Sequence, residues 1–185
     1  MTLRNTMIKN LILIRHAKSS WSPYGRKDFF GDDHQRPLNF RGNQAARVIG
    51  ACLREKYGTV DQIFSSSALR ASQTHEIIAS HVDSFHKGNF DTELYTFDAQ
   101  KLMAYIKKIN NKLRDIIIIG HNPAIHEVCL NIIDSCNQNN THANMKKKFP
   151  TCGTAHIQLK CTEWSEVKDN SGQLKCFFTP KSIAD

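Results

Sequence analysis

Short runs of consecutive apolar residues alternate along the chain with longer segments whose apolar residues recur every three or four positions. The clearest runs are Leu-Ile-Leu-Ile at residues 11–14 and four isoleucines at residues 116–119. A further short strand is predicted at residues 60–64, where Asp61 and Gln62 interrupt the apolar residues. Unbroken runs of this length are typical of strands buried on both faces of a parallel sheet. The intervening spacing predicts amphipathic helices over residues 39–57, 68–82, 98–113 and 123–133.

Alternating strands and helices predict an α/β fold, a three-layer sandwich whose central, mainly parallel sheet is flanked by helices. A short strand is expected within residues 90–95. Antiparallel C-terminal strands are expected near residues 154–161, 162–167 and 174–178. Residues 1–185 are expected to form a single domain, with residues 1–8 as a flexible N-terminal tail and residues 137–149 as a surface loop.

Helix boundaries are marked by residues with known capping preferences. Asn39 is expected to cap the helix at 39–57, and Gly58 to end it. Asp98 is expected to cap the third helix. Asn122 followed by Pro123 is expected to cap and open the fourth, since proline fits the first helical position.

Charge and composition restrict the classes of function that the protein can have, but they do not identify one. The 185 residues carry 25 Lys and Arg against 17 Asp and Glu, a net charge of +8 that favours anionic partners. No apolar stretch approaches the roughly 20 residues that cross a membrane, and no secretory signal is recognisable, so a cytoplasmic protein is expected. The six cysteines form no Cys-x-x-Cys pair and the nine histidines no His-Glu-x-x-His motif. Reduced thiols and no metal or other cofactor are therefore expected.

Three predicted strands end in residues of the same chemical kind. The first ends in Arg15 and His16, the second leads through three serines to Arg70, and the strand at 116–119 leads to His121. Ligands of open α/β sheets bind beyond the carboxyl ends of the strands. Two arginines and two histidines meeting there, next to helix N-termini, would bind a phosphoryl group.

A histidine in such a pocket is also a nucleophile. Its ordinary pKa of about 6.5 leaves imidazole mostly neutral near pH 7, and nearby arginines lower that pKa further. One histidine could attack phosphorus while the arginines and the other histidine neutralise the phosphoryl oxygens. This chemistry requires no metal.

Four segments occur in a fixed order: Leu-Ile-Arg-His-Ala-Lys-Ser-Ser-Trp (13–21), Arg-Pro-Leu-Asn-Phe-Arg-Gly (36–42), Ser-Ser-Ser-Ala-Leu-Arg-Ala-Ser-Gln-Thr (65–74) and Gly-His-Asn-Pro (120–123). Together they resemble the histidine phosphatase superfamily, and specifically its SixA-type phosphohistidine phosphatase branch. The resemblance implies that His16 is the catalytic nucleophile and becomes phosphohistidine. It also implies that Arg15, Arg70 and His121 bind the transferring phosphoryl group.

Two positions depart from the family pattern. Ser22 stands where many relatives place a phosphate-binding Asn, and is retained as a substrate-binding candidate. The carboxylate that larger members use as general acid has no clear counterpart, although Glu93 and Asp98 flank its place. A pocket poor in carboxylates suits phosphohistidine better than an alkyl phosphate, because imidazole is a better leaving group than an alkoxide.

The expected function is therefore a phosphatase acting on a phosphorylated protein, such as a phosphorelay histidine domain. One alternative is a phosphatase for small phosphorylated molecules, with Glu93 or Asp98 supplying the proton. The other is a non-catalytic phosphate-binding module, or a protein that binds nucleic acid through Lys146, Lys147 and Lys148. No aromatic residues are interleaved with that lysine triplet, which argues against nucleic acid and leaves it as a solvated surface.

Overall fold

The computed structural model describes residues 8–21, 32–85, 88–134 and 140–184. The strands in these ranges are β1 (Ile8–Arg15), β2 (Thr59–Val60), β3 (Gln62–Ser66), β4 (Asp83–Ser84), β5 (Asn89–Asp91), β6 (Asp115–Gly120), β7 (Thr154–Lys160) and β8 (Gly172–Phe178). The helices are α1 (Phe40–Tyr57), α2 (Leu69–Ala79), α3 (Ala99–Lys107), α4 (Ala124–Ile132), α5 (Asn140–Lys147) and α6 (Pro180–Ala184). Short 3-10 helices cover Asp33–Gln35, Thr92–Leu94 and Trp164–Glu166.

The main sheet has six strands in the order β5-β3-β6-β1-β7-β8. The pairs β5–β3, β3–β6 and β6–β1 are parallel, whereas β1–β7 and β7–β8 are antiparallel. Strands β2 and β4 pair separately in a small parallel sheet. The predicted α/β architecture, mainly parallel with antiparallel C-terminal strands and flanking helices, is confirmed.

The two central strands have almost no exposed surface because each face of the sheet carries its own apolar layer. Leu11 and Leu13 pack with residues of α3, α4 and α5 on one face. Ile12 and Ile14 point to the other face and pack with α1 and α2. All four side chains are at most 1% exposed. The unbroken apolar run at 11–14 is thus explained by burial on both sides.

Helix α1 is anchored to the turn that follows β1. Asn39 caps the helix as predicted, since its side chain accepts a hydrogen bond from the Gly42 amide. The Asn39 amide in turn donates to the Lys18 carbonyl. A Cβ atom on Gly42 would lie 2.1 Å from that same carbonyl oxygen, so only glycine allows this close approach. Gly58, at φ +66°, ends the helix as predicted.

The predicted second strand, at residues 60–64, is divided in two. Asp61 separates β2 from β3, and its carboxylate accepts hydrogen bonds from the Arg114 and Asp115 amides. The predicted strand at 90–95 is limited to β5 and continues as a 3-10 turn.

Two predictions in the C-terminal third are wrong. Residues 162–167 form a 3-10 turn around buried Trp164, whose indole nitrogen donates to the Leu113 carbonyl, and not a strand. The surface loop predicted for 137–149 contains helix α5. His142, Met145 and Phe149 are spaced three and four residues apart and are all buried, so this apolar face holds the segment in place although its composition is polar.

The predicted cap of α4 is also wrong. Helix α4 begins at Ala124, and no side chain caps its first turn. The Asn122–Pro123 peptide bond is cis, and the Asn122 side chain donates to the Phe149 carbonyl. By contrast, Asp98 caps α3 as predicted.

No helix within the described residues is long and apolar enough to cross a lipid bilayer. The five cysteines in the described ranges are free thiols, and Cys136 lies outside them.

Replacing Gly42 by Ala should lower the free energy of unfolding by about 1–3 kcal/mol, because the added methyl group meets rigid backbone. Gly50→Ala on the same helix is the matched control. Its methyl group would meet only the movable His81 side chain, at 3.0 Å or more. We therefore expect a change below about 1 kcal/mol, offset by better helix propensity. Urea unfolding of both variants measures the difference, and equal effects would contradict the steric explanation.

Candidate active site

Three neighbouring strands of the main sheet end at the same level. Arg15 of β1 is paired with Gly120 of β6, and Ile119 of β6 is paired with Ser65 of β3. His16 and His121 directly follow the Arg15–Gly120 pair, and Ser66 follows Ser65 on the neighbouring strand. The His16 amide donates to the Gly120 carbonyl at 2.9 Å, and the two imidazole centroids lie 5.0 Å apart. Strand register thus brings together the two histidines that the sequence predicted to meet.

His16 is buried, and its hydrogen bonds define its tautomer. Its Nδ1 lies 2.7 Å from the Ala17 carbonyl oxygen, which can only accept, so Nδ1 carries the proton. Its Nε2 lies 3.3 Å from Arg70 Nε, which can only donate. Both contacts require an unprotonated Nε2. The lone pair available for attack is therefore on the nitrogen that faces Arg70.

His121 is fixed by the hydroxyl of Ser66. Its Nε2 lies 2.8 Å from Ser66 Oγ, and its Nδ1 lies 3.3 Å from Arg70 Nη2. Since Arg70 donates, the neutral ring carries its proton on Nε2 and donates it to the serine. A hydroxyl can also donate, so Ser66 is able to serve either tautomer of His121. The sequence placed Ser66 near the pocket but indicated no partner for it.

Arg70 and Arg15 reach the site from different elements. Arg70 is the second residue of α2 and is only 2% exposed. Thr74, one turn later, donates to the Arg70 carbonyl and accepts from the Ala17 amide, which ties α2 to the turn after His16. Arg15 Nη1 donates to the Phe149 carbonyl. Arg15 Nε is buried and has no hydrogen-bond acceptor among the described residues.

Burial keeps both histidines neutral. Desolvation, opposed in part by the Ala17 carbonyl and reinforced by Arg70 and Arg15, lowers the pKa of His16 to about 3. Burial, followed by the neighbouring His16 and Arg70, lowers the pKa of His121 to about 2. Each imidazole is therefore a neutral base beside permanent cations.

A carboxylate that the sequence did not predict also reaches the site. Asp33 Oδ2 lies 2.9 Å from Arg70 Nη2 and accepts from the Tyr95 hydroxyl at 2.8 Å. Its Oδ1 accepts from Arg36 Nη1 at 2.8 Å. Burial alone would raise the pKa of Asp33, but bonds from Arg36 and Tyr95 and the Arg70 charge outweigh it and hold that pKa at about 2. The expectation of a pocket poor in carboxylates is wrong in this respect, although this carboxylate is ionised.

Glu93 and Asp98, the two carboxylates that were candidates for the proton donor, lie elsewhere. Glu93 is 63% exposed and pairs with Lys108 at 3.8 Å, while Asp98 caps α3. Arg36 anchors its loop, donating to the Ser20 carbonyl and to the Ser19 hydroxyl. Ser22 lies outside the described residues, so its proposed role stays a prediction.

Aromatic rings line one side of the two-histidine pair. Tyr95 and Phe97 each lie 5.3 Å from the His121 ring, centroid to centroid, and Phe97 is 46% exposed. His34 packs edge-on against Tyr95 and contacts Ser67 through its Nε2. The sequence indicated no catalytic role for His34. This residue reaches the site through a tertiary contact with Tyr95, which no sequence motif predicts.

The arrangement combines a neutral imidazole lone pair, two arginines and a second imidazole. Arginine forks match phosphoryl oxygens, and the imidazole lone pair can attack phosphorus. Within the described ranges, no three His, Cys, Asp or Glu side chains are grouped to hold a metal ion.

Comparison with known proteins supports this chemistry. The profile described as "Histidine phosphatase superfamily (branch 1)" matches residues 11–95. An uncharacterized protein of Mycobacterium leprae is 31% identical over 170 residues, covering 91% of this chain and 100% of its own.

Solved structures share the fold. SixA from Nakamurella multipartitia has a TM-score of 0.78 at 20% identity, covering 94% of this chain and 97% of its own. The protein histidine phosphatase SixA complexed with tungstate has a TM-score of 0.72 at 18% identity, with 94% and 99% covered. A phosphoserine phosphatase of Entamoeba histolytica has a TM-score of 0.59 at 17% identity, with 94% and 98% covered. At these identities the likeness shows a common fold.

The buried neutral histidines should make the protein sensitive to acid. His16, His121, His75 and His156 titrate well below the value of about 6.5 expected when unfolded, since burial lowers the pKa of His75 and that of His156 to about 4. Between pH 6.5 and 4 the unfolded chain binds more protons, so stability should fall as the pH falls, by up to about 1.4 kcal/mol per pH unit for each histidine. Urea unfolding at several pH values measures this slope.

His75 lies away from the two-histidine pair and provides the matched comparison. Replacing it by Asn should remove roughly one of four similar contributions to the slope. A free energy of unfolding that stays constant from pH 6.5 to 4.5 would show that these histidines are not held neutral in the folded protein.

Proposed function

The chain belongs to the histidine phosphatase superfamily, and on that basis we propose that it is a phosphatase that forms a phosphohistidine intermediate on His16. The observation that carries the proposal is the tautomer of His16. Its Nδ1–H is committed to the Ala17 carbonyl, and its Nε2 lone pair faces Arg70. The substrate we propose is phosphohistidine in a protein.

In the first step, His16 Nε2 forms a bond to phosphorus as the bond to the leaving group breaks. The His16 ring gains positive charge, which the Ala17 carbonyl stabilises through Nδ1–H. Arg15, Arg70 and His121 neutralise the phosphoryl oxygens, and Ser22 is proposed to contribute a further contact. In the second step, water attacks phosphorus, the bond to His16 breaks, and inorganic phosphate leaves.

The proton supply favours a phosphoramidate substrate. Among the described residues, Asp33 is the carboxylate in contact with Arg70, and its pKa of about 2 leaves it without a proton to donate at neutral pH. An alkoxide needs such a proton to leave, whereas imidazole accepts one from water or arrives already protonated. The fold shared with a protein histidine phosphatase also supports this substrate class. The fold shared with a phosphoserine phosphatase keeps small phosphoesters as the alternative.

Replacing His16 by Ala should abolish turnover while leaving the protein folded. Loss of a nucleophile of this kind usually reduces the rate by more than a thousandfold. A phosphohistidine protein should lose its phosphate with the wild type but not with the His16 variant, and rapid quenching should trap acid-labile phosphate on the wild type but not on that variant. His81→Ala is the control and should behave as the wild type, because His81 lies beyond the C-terminal end of α2 whereas Arg70 lies at its start. More than about a thousandth of the wild-type rate in the His16 variant would refute nucleophilic catalysis by His16.

The leaving group distinguishes the two substrate classes. Without a proton donor, rates on phosphate esters should fall steeply as leaving-group pKa rises, with aryl phosphates slow, alkyl phosphates slower and phosphohistidine fastest. Glu93→Gln and Asp98→Asn should not change the slope of log rate against leaving-group pKa. A flat plot that becomes steep in either variant would identify a general acid, and small phosphoesters would then replace phosphohistidine as the proposed substrate.

A further inference from the structure

We propose that Asp33 is a positioning residue that sets the orientation of the Arg70 guanidinium, and that Arg36 and Tyr95 hold Asp33 in place for this purpose. This inference rests on the proposed function, because it concerns the geometry of the same pocket. None of the four segments that carry the family resemblance contains Asp33.

The two edges of the Arg70 guanidinium have different partners. Along one edge, Nη1 donates to the Asp33 carbonyl at 2.6 Å and Nη2 donates to Asp33 Oδ2 at 2.9 Å. Along the other, Nε faces His16 Nε2 and Nη2 faces His121 Nδ1, each at 3.3 Å. The guanidinium is planar, so fixing one edge fixes the direction of the other. Asp33 therefore determines where the two inward N–H groups point.

The inward contacts are suited to being replaced by a phosphoryl group. At 3.3 Å they are longer than the usual 2.9–3.0 Å for N–H donors, whereas the contacts to Asp33 are short. A phosphoryl oxygen arriving between the histidines can take over the inward N–H groups while Asp33 keeps the outward ones. The Arg70 guanidinium therefore has its binding orientation before the substrate arrives.

Asp33 is itself held from two further directions. Arg36 donates to Oδ1 and is anchored on Ser20, while the Tyr95 hydroxyl donates to Oδ2. The Asp33 side chain is 37% exposed, whereas that of Arg70 is only 3% exposed. Asp33 is therefore the partner whose orientation depends on further contacts, here those with Arg36 and Tyr95. A carboxylate with three cationic or hydroxyl donors has little freedom to turn away.

Removing the Asp33 charge has two opposite effects, and these provide the test. The pocket becomes more positive, which favours binding of a phosphate anion, while Arg70 loses its charged partner and keeps only the backbone carbonyl and a neutral amide that must also face the Arg36 and Tyr95 donors. Asp33→Asn should therefore lower kcat by about 10- to 100-fold. The inhibition constant of this variant for inorganic phosphate should stay within about threefold of the wild-type value or decrease, since the attraction between the pocket and the anion is retained or increased.

Asp32→Asn is the matched control, because Asp32 caps the same 3-10 turn and its carboxylate accepts from the His34 amide. It should leave kcat within about twofold of wild type, as exposed substitutions away from the pocket usually do. Tyr95→Phe should show a smaller loss than Asp33→Asn, and the double variant should be no worse than Asp33→Asn alone, because Tyr95 acts through Asp33.

A second measurement does not depend on turnover. In the wild type, the Arg70 Nε–H should give a sharp, slowly exchanging NMR signal that shifts when inorganic phosphate is added. In folded Asp33→Asn it should broaden or disappear, whereas in Asp32→Asn it should persist. Kinetics are measured well below the thermal midpoint of each variant, so that loss of folded protein does not contribute.

Three results would overturn the inference. An unchanged kcat with an unchanged Arg70 signal would make Asp33 a counter-ion for a buried arginine and nothing more. A rise in kcat/KM would show that Asp33 competes with phosphate for Arg70. An equal loss in Asp32→Asn would assign the effect to the turn. If the wild type itself hydrolyses neither phosphohistidine nor phosphoesters, the proposed function fails instead, and the Arg70 signal still decides the role of Asp33.

Discussion

The in-register parallel pairing of β1 with β6 is the constraint on which the site depends. It sets Arg15 opposite Gly120, so that the next residues, His16 and His121, leave the sheet side by side. Pairing of β6 with β3 sets Ser65 opposite Ile119, so that Ser66 lies within hydrogen-bond distance of His121. A slip of one residue would exchange the Leu and Ile side chains of β1 between the two faces of the sheet and would move His16 out of line with His121. Core packing and catalytic geometry are thus specified by the same register.

Burial at this sheet edge then determines the chemistry of the histidines. Desolvation disfavours the imidazolium form, and the neighbouring arginines add to that effect, so both rings stay neutral. The hydrogen bond to Ala17 decides which nitrogen of His16 is unprotonated. A lone pair is consequently available next to Arg70, one of the cations that we propose neutralise the phosphoryl oxygens. Neither property belongs to the Arg-His dipeptide itself, because both arise from where the fold places it.

The sequence predicted those parts of the molecule that local patterns determine. The runs at 11–14 and 116–119 identified the central strands, and Asn39 and Asp98 identified two helix starts. Prediction failed where distant contacts override local preference. Asn122 has the right type for a cap but donates to Phe149 instead. The polar segment at 140–147 is helical because two of its side chains, His142 and Met145, are buried together with the following Phe149.

Asp33 was not predicted for the same reason, because it reaches the site through contacts between residues that are distant in the sequence. Its partners Arg70 and Tyr95 lie 37 and 62 residues away in the chain, so no local spacing could reveal the cluster. Yet a nearly buried guanidinium needs a counter-charge whether or not substrate is bound, because an unpaired buried ion is strongly destabilising. Placing that counter-charge on the outer edge of Arg70 satisfies the folding requirement and leaves the inner edge to the histidines. The same contact therefore stabilises the buried Arg70 and directs its inner N–H groups at the two histidines, where we propose that the phosphoryl group binds.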